Sequence, residues 1–327
     1  MTTMAWRVLR MLPWLAAALL ALAALPASAQ NYPSRPVRII VPFGPGSGSD
    51  VMARVFADEL QRSLGGTFIV DNRAGASGII AAEAAAKSAP DGYTLLMTSN
   101  TTHSANPSLF KTLPYDPVKD FAPVALLVDY PAVMVINPEL PVKNIREFID
   151  WAKKNAGKVG FGFGNSTGQV VGAAVARASG TKMTSVSYKS TPQALIDVAR
   201  GELQFIIADL VSIQPFLKSG RVRAVAVANP QRTELAPGLP TLKETVLPDL
   251  ATAYWGGMFA PAGTDRQITE RLHAALNQSL AKPEIRERLS GLGAVPHPIS
   301  IEAFGAFVKD QVAIWAKGVR DAGIEPQ

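Results

Sequence analysis

A short turn near the middle of the chain has the residue types and the spacing of a catalytic serine. Residues 164 to 168 read Gly-Asn-Ser-Thr-Gly, the G-x-S-x-G pattern that presents a nucleophile between a strand and a helix. Asp209, His273 and His297 follow, so the chain order Ser–Asp–His is that of a hydrolase. Because His273 lies at the start of a helical pattern and His297 lies between two prolines, we expect neither to act as the base. A serine hydrolase that uses Ser166 stays an alternative interpretation.

A second turn rich in small residues comes earlier in the chain. Residues 44 to 50 read Gly-Pro-Gly-Ser-Gly-Ser-Asp, without the third glycine of G-x-G-x-x-G and without the lysine of a P-loop. Small residues let a ligand approach the backbone, and the free N–H groups of the following helix favour an anion. We predict an anion site here, with Ser49 as the N-cap. Residues 190 to 192, Ser-Thr-Pro, form a third turn of this type, with Thr191 as the predicted N-cap.

Polar residues also follow two predicted strands at their carboxyl ends. Residues 98 to 103 read Thr-Ser-Asn-Thr-Thr-His, and their hydroxyl and amide groups could line a polar site. His103 in this loop is interpreted equally well as a structural histidine. Asp209 could accept a hydrogen bond from a ligand hydroxyl or amine, or it could cap the next helix through Ser212. Both interpretations of each residue stay open.

The inventory of metal-binding and redox side chains is short. The chain has no cysteine and only three histidines, which are far apart in the sequence. This composition excludes disulfides, thiolate nucleophiles and cysteine-based zinc sites, and it argues against any metal site. We therefore predict no metal and no cofactor.

Two α/β units are expected to position the three turns. Short apolar runs alternate with helical patterns, which is typical of a doubly wound sheet with parallel strands. The predicted strands cover residues 37–41, 68–70, 93–97, 159–163, 205–208 and 223–228, and residues 258–260 begin the last section. The predicted helices cover residues 51–64, 81–89, 145–155, the stretch after the turn 164–168 to about residue 179, 265–281, 283–290 and 301–322. A strand, a small-residue turn and a helix occur in this order near Gly44 and again near Gly164. Since ligands bind at the carboxyl ends of strands in open α/β sheets, two facing units would share one site.

The first 29 residues have the features of a secretory signal peptide. Arg7 and Arg10 precede an apolar stretch over residues 12–25, and residues 27–29, Ala-Ser-Ala, supply the cleavage pattern. The stretch is shorter than the ~20 residues of a membrane span. We predict cleavage after Ala29 and export to the periplasm. With 48% hydrophobic and 18% charged residues the chain is not disordered, and its net charge of +6 without a polybasic run argues against nucleic acid.

Several longer motifs, spread over almost the whole mature chain, resemble one family. They are residues 32–43 (Tyr-Pro-Ser-Arg-Pro-Val-Arg-Ile-Ile-Val-Pro-Phe), 72–76 (Asn-Arg-Ala-Gly-Ala), 89–96 (Ala-Pro-Asp-Gly-Tyr-Thr-Leu-Leu), 113–121 (Leu-Pro-Tyr-Asp-Pro-Val-Lys-Asp-Phe) and 259–264 (Phe-Ala-Pro-Ala-Gly-Thr). On these motifs the sequence is similar to the solute-binding proteins of tripartite tricarboxylate transporters, the Bug family. The resemblance implies an α/β fold of the two-lobed, type II-like periplasmic binding protein class. Each lobe would be a doubly wound sheet with helices on both faces.

The resemblance also implies a function and a set of site residues. A member of this family captures a small organic anion, commonly a carboxylate, and delivers it to the permease subunits of the membrane transporter, so we expect no enzyme activity. Carried over to this sequence, the site comprises Phe43, Gly46, Ser47, Ser49, Asp50, Ser99, Asn100, Thr101, Asn165, Ser166, Thr167, Ser190, Thr191 and Asp209. A ligand sensor that signals to a membrane partner is a further alternative.

The expected domain organisation follows from the same resemblance. Residues 1–29 form the signal peptide, residues 30–130 and 255–327 form lobe one, and residues 131–254 form lobe two. The chain is expected to cross between the lobes near residues 128–133 and 253–257. We expect a monomer that binds no nucleic acid.

Overall fold

The computed structural model describes residues 32–327 of the protein, so the predicted signal peptide and its cleavage site lie outside the described residues. Within residues 32–327, none of the helices combines the length and the apolar character that crossing a bilayer requires. The strands of this part of the chain form two sheets, and strands and helices are numbered below in chain order.

The first sheet has six strands. They are β1 (Val37–Val41), β2 (Phe68–Asn72), β3 (Thr94–Ser99), β4 (Phe121–Asp129), β10 (Trp255–Pro261) and β11 (Val295–Pro296), in the spatial order β11-β4-β10-β3-β1-β2. β1 pairs in parallel with β2 and β3, whereas β10 runs antiparallel between β3 and β4. The expectation of parallel strands throughout is wrong, because β10 starts at the edge where β3 and β4 end.

The second sheet has five strands. They are β5 (Ala132–Ile136), β6 (Gly160–Phe163), β7 (Thr184–Ser187), β8 (Phe205–Asp209) and β9 (Arg223–Val227), in the order β7-β6-β8-β5-β9. β6 is parallel to β7 and β8, and β5 is antiparallel to β8 and β9. The first sheet therefore contains two strands, β10 and β11, that begin where β4 ends, and the second sheet contains one strand, β5, that begins where β8 ends. We call the part of the molecule built on the first sheet the first lobe and the other part the second lobe.

The helices follow the strands as the alternating pattern predicts. They are α1 (Gly48–Leu64), α2 (Ile79–Ala86), α3 (Asn106–Leu109), α4 (Ile145–Lys154), α5 (Ser166–Ser179), α6 (Thr191–Arg200), α7 (Leu210–Lys218), α8 (Leu242–Thr245), α9 (Arg266–Ala281), α10 (Pro283–Leu292) and α11 (Ile301–Asp321). A short 3₁₀ turn spans Ala76–Gly78, and a π-helical turn spans Thr101–Ala105 directly after β3.

Helices cover both faces of each sheet, as the alternation of side chains along the strands shows. In β1, Ile39 lies in the same buried cluster as Phe56 of α1, whereas Ile40 on the opposite face lies with Ala82 of α2. In β5, Met134 shares a cluster with residues of α4, and Val133 shares one with residues of α6. The predicted fold class, two lobes that each carry a sheet between helices, is confirmed.

The first connection between the two sheets is short. β4 continues to Asp129 and β5 begins at Ala132, so only Tyr130 and Pro131 lie between the two sheets. On the return, Trp255 already belongs to β10, where it pairs with Asp129 of β4. Backbone pairing thus extends into both of the predicted crossing segments, residues 128–133 and 253–257.

Candidate functional site

A polar cleft lies between the lobes at the ends of strands from both sheets. β1 and β3 end there in the first lobe, β6 and β8 end there in the second, and α1, α5, α6 and α7 begin there. The residues that line the remaining space are Phe43, Ser47, Gly48, Ser49, Ser99, Asn100, Tyr130, Ala132, Asn165, Thr167, Thr191, Asp209 and Tyr254. None of them is a lysine or an arginine.

The first wall of the cleft is the turn that begins α1. The hydroxyl of Ser47 accepts a hydrogen bond from the backbone N–H of Asp50 at 3.3 Å, so Ser47 is the N-cap and the prediction of Ser49 is wrong. Three residues after the cap, the Asp50 carboxylate accepts from the Gly46 N–H at 2.9 Å. This Ser-x-x-Asp spacing is related to the capping box, which explains why the cap lies two residues earlier than expected.

The Asp50 carboxylate stabilises the turn and is not available to the open space of the cleft. One of its oxygens accepts from the Gly46 N–H, and the other accepts from Arg54 at 2.9 Å and from the Asn72 side chain at 3.0 Å. The same Asn72 side chain donates to the carbonyl of Phe43 at 2.8 Å. Since both oxygens of this buried carboxylate are engaged, Asp50 fixes the backbone that faces the cleft.

The second wall consists of the turns before α5 and α6, which touch each other. Asn165 caps α5 by accepting from the Gly168 N–H at 3.0 Å, and its amide donates to the Thr191 hydroxyl at 3.3 Å. A Cβ on Gly164 would lie 2.2 Å from backbone atoms of Ser190 and Thr191, so only glycine fits between the turns. Ser190 is the N-cap of α6 without a capping side-chain bond, and Thr191 is its first residue, so the predicted Thr191 cap is wrong by one position.

Hydrogen bonds join the two lobes across the cleft. The Thr101 hydroxyl accepts from the backbone N–H of Ser166 at 3.3 Å and from its hydroxyl at 3.0 Å. The Asn100 amide donates to the Thr167 hydroxyl at 3.2 Å. The space left between the lobes has a volume of about 20 Å³, room for roughly one water molecule. The lobes are therefore closed on each other.

Asp209 lies at the point where the second lobe meets the start of α1. Its carboxylate accepts from the Ser212 backbone N–H and hydroxyl, both at 2.8 Å, which confirms the capping interpretation of this residue. The Ser212 hydroxyl in turn accepts from the Gly48 N–H of the first lobe at 3.1 Å. A Cβ on Gly48 would lie 2.6 Å from Asp209 Oδ1. Removal from water raises the pKa of the Asp209 carboxyl, since burial disfavours its charged form.

The chain matches known proteins along most of its length. The family model described as tripartite tricarboxylate transporter family receptor matches residues 52–324. Protein BugT of Bordetella pertussis is 35% identical over 303 residues, which are 92% of this chain and 93% of BugT. The chain belongs to the tripartite tricarboxylate transporter receptor family. The resemblance found in the sequence motifs is thereby confirmed.

Two solved structures from Rhodopseudomonas palustris are similar to this receptor in three dimensions. Rpa4515, solved with adipate, has a TM-score of 0.87 and 32% identity, over 90% of this chain and 100% of that chain. MatC, solved with bound malate, has a TM-score of 0.83 and 31% identity, over 88% of this chain and 100% of that chain. The periplasmic binding protein BugD is similar as well, with a TM-score of 0.85 and 33% identity over 90% of this chain and 100% of that chain. The present chain is a solute-binding protein rather than an enzyme.

The histidines of the receptor lie outside the cleft, which removes the base that a serine hydrolase needs. His273 Nδ1 lies 2.7 Å from the carbonyl of Val124, and His297 Nδ1 lies 2.9 Å from the Asp129 carboxylate. His103 is fully buried, and its ring stacks on that of Phe259 with 4.1 Å between the ring centroids. These contacts support the interpretation of His103 as a structural histidine. Within residues 32–327 no cluster of three metal-binding side chains exists.

The structure brings most of the sequence-predicted site residues together. Nine of them line the space between the lobes: Phe43, Ser47, Ser49, Ser99, Asn100, Asn165, Thr167, Thr191 and Asp209. The other five, Gly46, Asp50, Thr101, Ser166 and Ser190, lie behind this first layer, where they shape the turns or join the lobes.

Two tyrosines of the cleft are missing from the sequence prediction. Tyr130 is 4% exposed, next to Ser49 and Asp209, and burial together with the Asp209 charge holds the pKa of its hydroxyl well above 10. Tyr254 donates to the carbonyl of Ala228 at 3.1 Å and contacts the Thr252 hydroxyl at 3.0 Å. Both lie on the connections between the lobes. The signal that could have found Tyr130 is the Tyr-Pro pair that interrupts a long apolar run.

Proposed function

We propose that this receptor captures a small carboxylate in the cleft between its lobes and delivers it to a membrane permease of the tripartite type. The observation that carries the proposal is the meeting of four helix starts, from both lobes, around a space that no lysine or arginine lines. Rpa4515 and MatC, which share the fold over nearly their whole length, were solved with adipate and malate.

The backbone supplies the positive potential that an anion needs. The N–H groups of Ser49, Thr167 and Thr191 belong to the first turns of α1, α5 and α6, where N–H groups have no acceptor within the helix. N–H groups at the starts of helices carry partial positive charge and bind carboxylates without a charged side chain. Three such groups from two lobes would hold a carboxylate only while the lobes are closed.

The proposed lobes comprise residues 30–130 with 255–327, and residues 131–254. They would open by rotation at the connections next to Tyr130 and Tyr254, which lets the solute enter and leave. The mature receptor would begin at Gln30, after cleavage behind Ala29. Mass measurement of the protein from the periplasm tests the cleavage, and a membrane-embedded product that retains Met1 would contradict it.

A thermal-shift screen tests the ligand class. Mono-, di- and tricarboxylates are compared with neutral sugars, since a ligand at about 100 times its Kd stabilises the folded state by about 2.7 kcal/mol. We expect at least one carboxylate and no sugar to raise the Tm. Stabilisation by a sugar and by none of the carboxylates would contradict the proposal.

One glycine offers a test of the cleft itself. Gly48→Ala places a Cβ 2.6 Å from Asp209 Oδ1 and 3.4 Å from the Tyr130 ring, so the closed arrangement cannot form without displacement. We expect loss of carboxylate binding by calorimetry with little change in the Tm of the unliganded protein. Gly291→Ala, a helix glycine with no atom within 4 Å of the added Cβ, is the matched control. Uptake of the same carboxylate by cells should fail with Gly48→Ala alone, which tests delivery to the permease.

A further inference from the structure

A second cavity, larger than the space in the cleft, lies between helices of the two lobes. Its volume is about 360 Å³, within the range of small-molecule sites. Its walls are one face of α5, one face of α11 and residues 246–252, which form the segment before β10. Most of the lining is apolar and comes from Val170, Ala174, Val246, Leu247, Leu250 and Ile314.

The spacing of the residues explains why two helices turn towards this cavity. Val170, Ala174 and Arg177 recur along α5 at the intervals of one helix face, and Ile314 and Gly318 do so along α11. A Cβ on Gly318 would lie 2.9 Å from the Thr252 side chain, so α11 approaches the connecting segment closely. The cavity is thus bounded on three sides by ordered elements.

One cation at the rim has no counter-ion. Lys317 pairs with Asp321 at 2.5 Å and also lies in the field of Asp249. The exposed guanidinium of Arg177 has no hydrogen bond and no ion pair among residues 32–327. Its Nη1 lies 3.0 Å from the position of a Cβ on Gly323, which places it over the end of α11 at the mouth of the cavity. An apolar cavity with one unpaired guanidinium at its mouth suits a molecule with an apolar body and one anionic group.

We infer that this cavity is a second binding site, specific for an amphipathic organic anion whose apolar body lies between α5 and α11 and whose charged group contacts Arg177. The site is separate from the cleft, because none of its lining residues lines the cleft. The two sites share one helix, however: α5 begins in the cleft at Ser166, and its residues from Val170, one turn further along, to Ala178 contribute to the wall of this cavity. A molecule held here contacts both lobes.

The probe for the test is 1-anilinonaphthalene-8-sulfonate, an anionic dye that fluoresces in apolar surroundings, with N-phenyl-1-naphthylamine as its uncharged counterpart. We expect the folded receptor to bind the anionic dye saturably and more tightly than the neutral one. Arg177→Gln should weaken the anionic dye about three- to tenfold and leave the neutral dye unchanged, as for a charge-assisted contact that is partly exposed to water.

Matched variants separate the cavity from other binding surfaces. Arg200→Gln removes an exposed arginine in the last turn of the neighbouring α6, so it controls for net charge and helix position. Ala174→Phe fills the cavity and should remove saturable binding, whereas Ala313→Phe adds the same side chain to an exposed position of α11 outside the cavity. Dye affinity that is unchanged in Arg177→Gln, or equally reduced in Arg200→Gln, would overturn the inference. If the dye bound in the cleft instead, its affinity would be unchanged in Arg177→Gln.

Discussion

The hydrogen bonds between Thr101 and Ser166 allow a direct measurement of what lobe closure contributes to affinity. Thr101 Oγ1 accepts from both the N–H and the hydroxyl of Ser166, and both residues are at most 1% exposed. Thr101→Val has nearly the same shape but offers no acceptor. In the closed arrangement the two donors of Ser166 would then lack a partner, whereas in the open arrangement water would satisfy them.

The size of the effect follows from this difference between the two arrangements. A buried donor without a partner costs about 1–3 kcal/mol, and each 1.4 kcal/mol is a factor of about ten in an equilibrium constant. Because only the closed form is penalised, we expect a carboxylate identified by the thermal-shift screen to bind about five- to 150-fold more weakly. Isothermal titration calorimetry measures the change in Kd.

Thr98→Val is the control for the loss of a buried threonine hydroxyl. Thr98 Oγ1 lies 2.6 Å from Thr102 Oγ1, wholly within the first lobe, so this substitution should lower the Tm and leave the Kd unchanged. An unchanged Kd in Thr101→Val, or an equal loss of affinity in both variants, would refute the view that this contact stabilises the closed lobes.

Three further predictions concern single positions. Ser166→Ala should keep the fold and weaken carboxylate binding about two- to a hundredfold. A serine-directed organophosphonate should not label the wild type. Stoichiometric labelling of Ser166 would restore the hydrolase interpretation. Gly164→Ala forces a Cβ to within 2.2 Å of backbone atoms and should cost at least about 1–3 kcal/mol in unfolding experiments, whereas an equal free energy of unfolding for Gly291→Ala would contradict this steric reasoning. The hydrogen bond with Asp129 raises the pKa of His297 above 6.5. The stabilisation of the fold by protonated His297 is therefore complete below pH 6.5 and is lost as the pH rises through the raised pKa of His297. His297→Gln should therefore lower the Tm at about pH 5.5 and have no effect at about pH 9, and a pH-independent difference would show that the charge is irrelevant.

The sequence predicts the cleft well because its turns follow local rules. The small-residue turns before α1 and α5 lie at strand ends, and a doubly wound topology brings such ends together whatever the details of packing. The cap of α1 could also have been assigned correctly, since Asp50 follows Ser47 at the spacing related to the capping box. Local patterns of this kind do not depend on distant contacts.

Other features depend on contacts between distant parts of the chain and could not be predicted locally. Tyr130 lines the cleft because only two residues separate the end of β4 from the start of β5. The positions of these strand ends are determined by the pairing of β4 with β10 and of β5 with β8. The antiparallel insertion of β10 requires knowledge of where the chain returns. Ser166 and Asp50 match motifs of ligand-binding residues, yet their polar atoms are engaged by Thr101 in one case and by Arg54 and Asn72 in the other.

The position of β10 between β3 and β4 also determines the order in which the molecule can be completed as the chain is made. β1 to β4 emerge first, but their sheet lacks its centre until Trp255–Pro261 has followed. All strands of the second sheet emerge in the interval, so the second lobe can fold while the first is unfinished. During this time β3 and β4 present unpaired edges, on which chains associate with one another. A pause in synthesis between residues 129 and 255 would therefore favour aggregation more than a pause after β10.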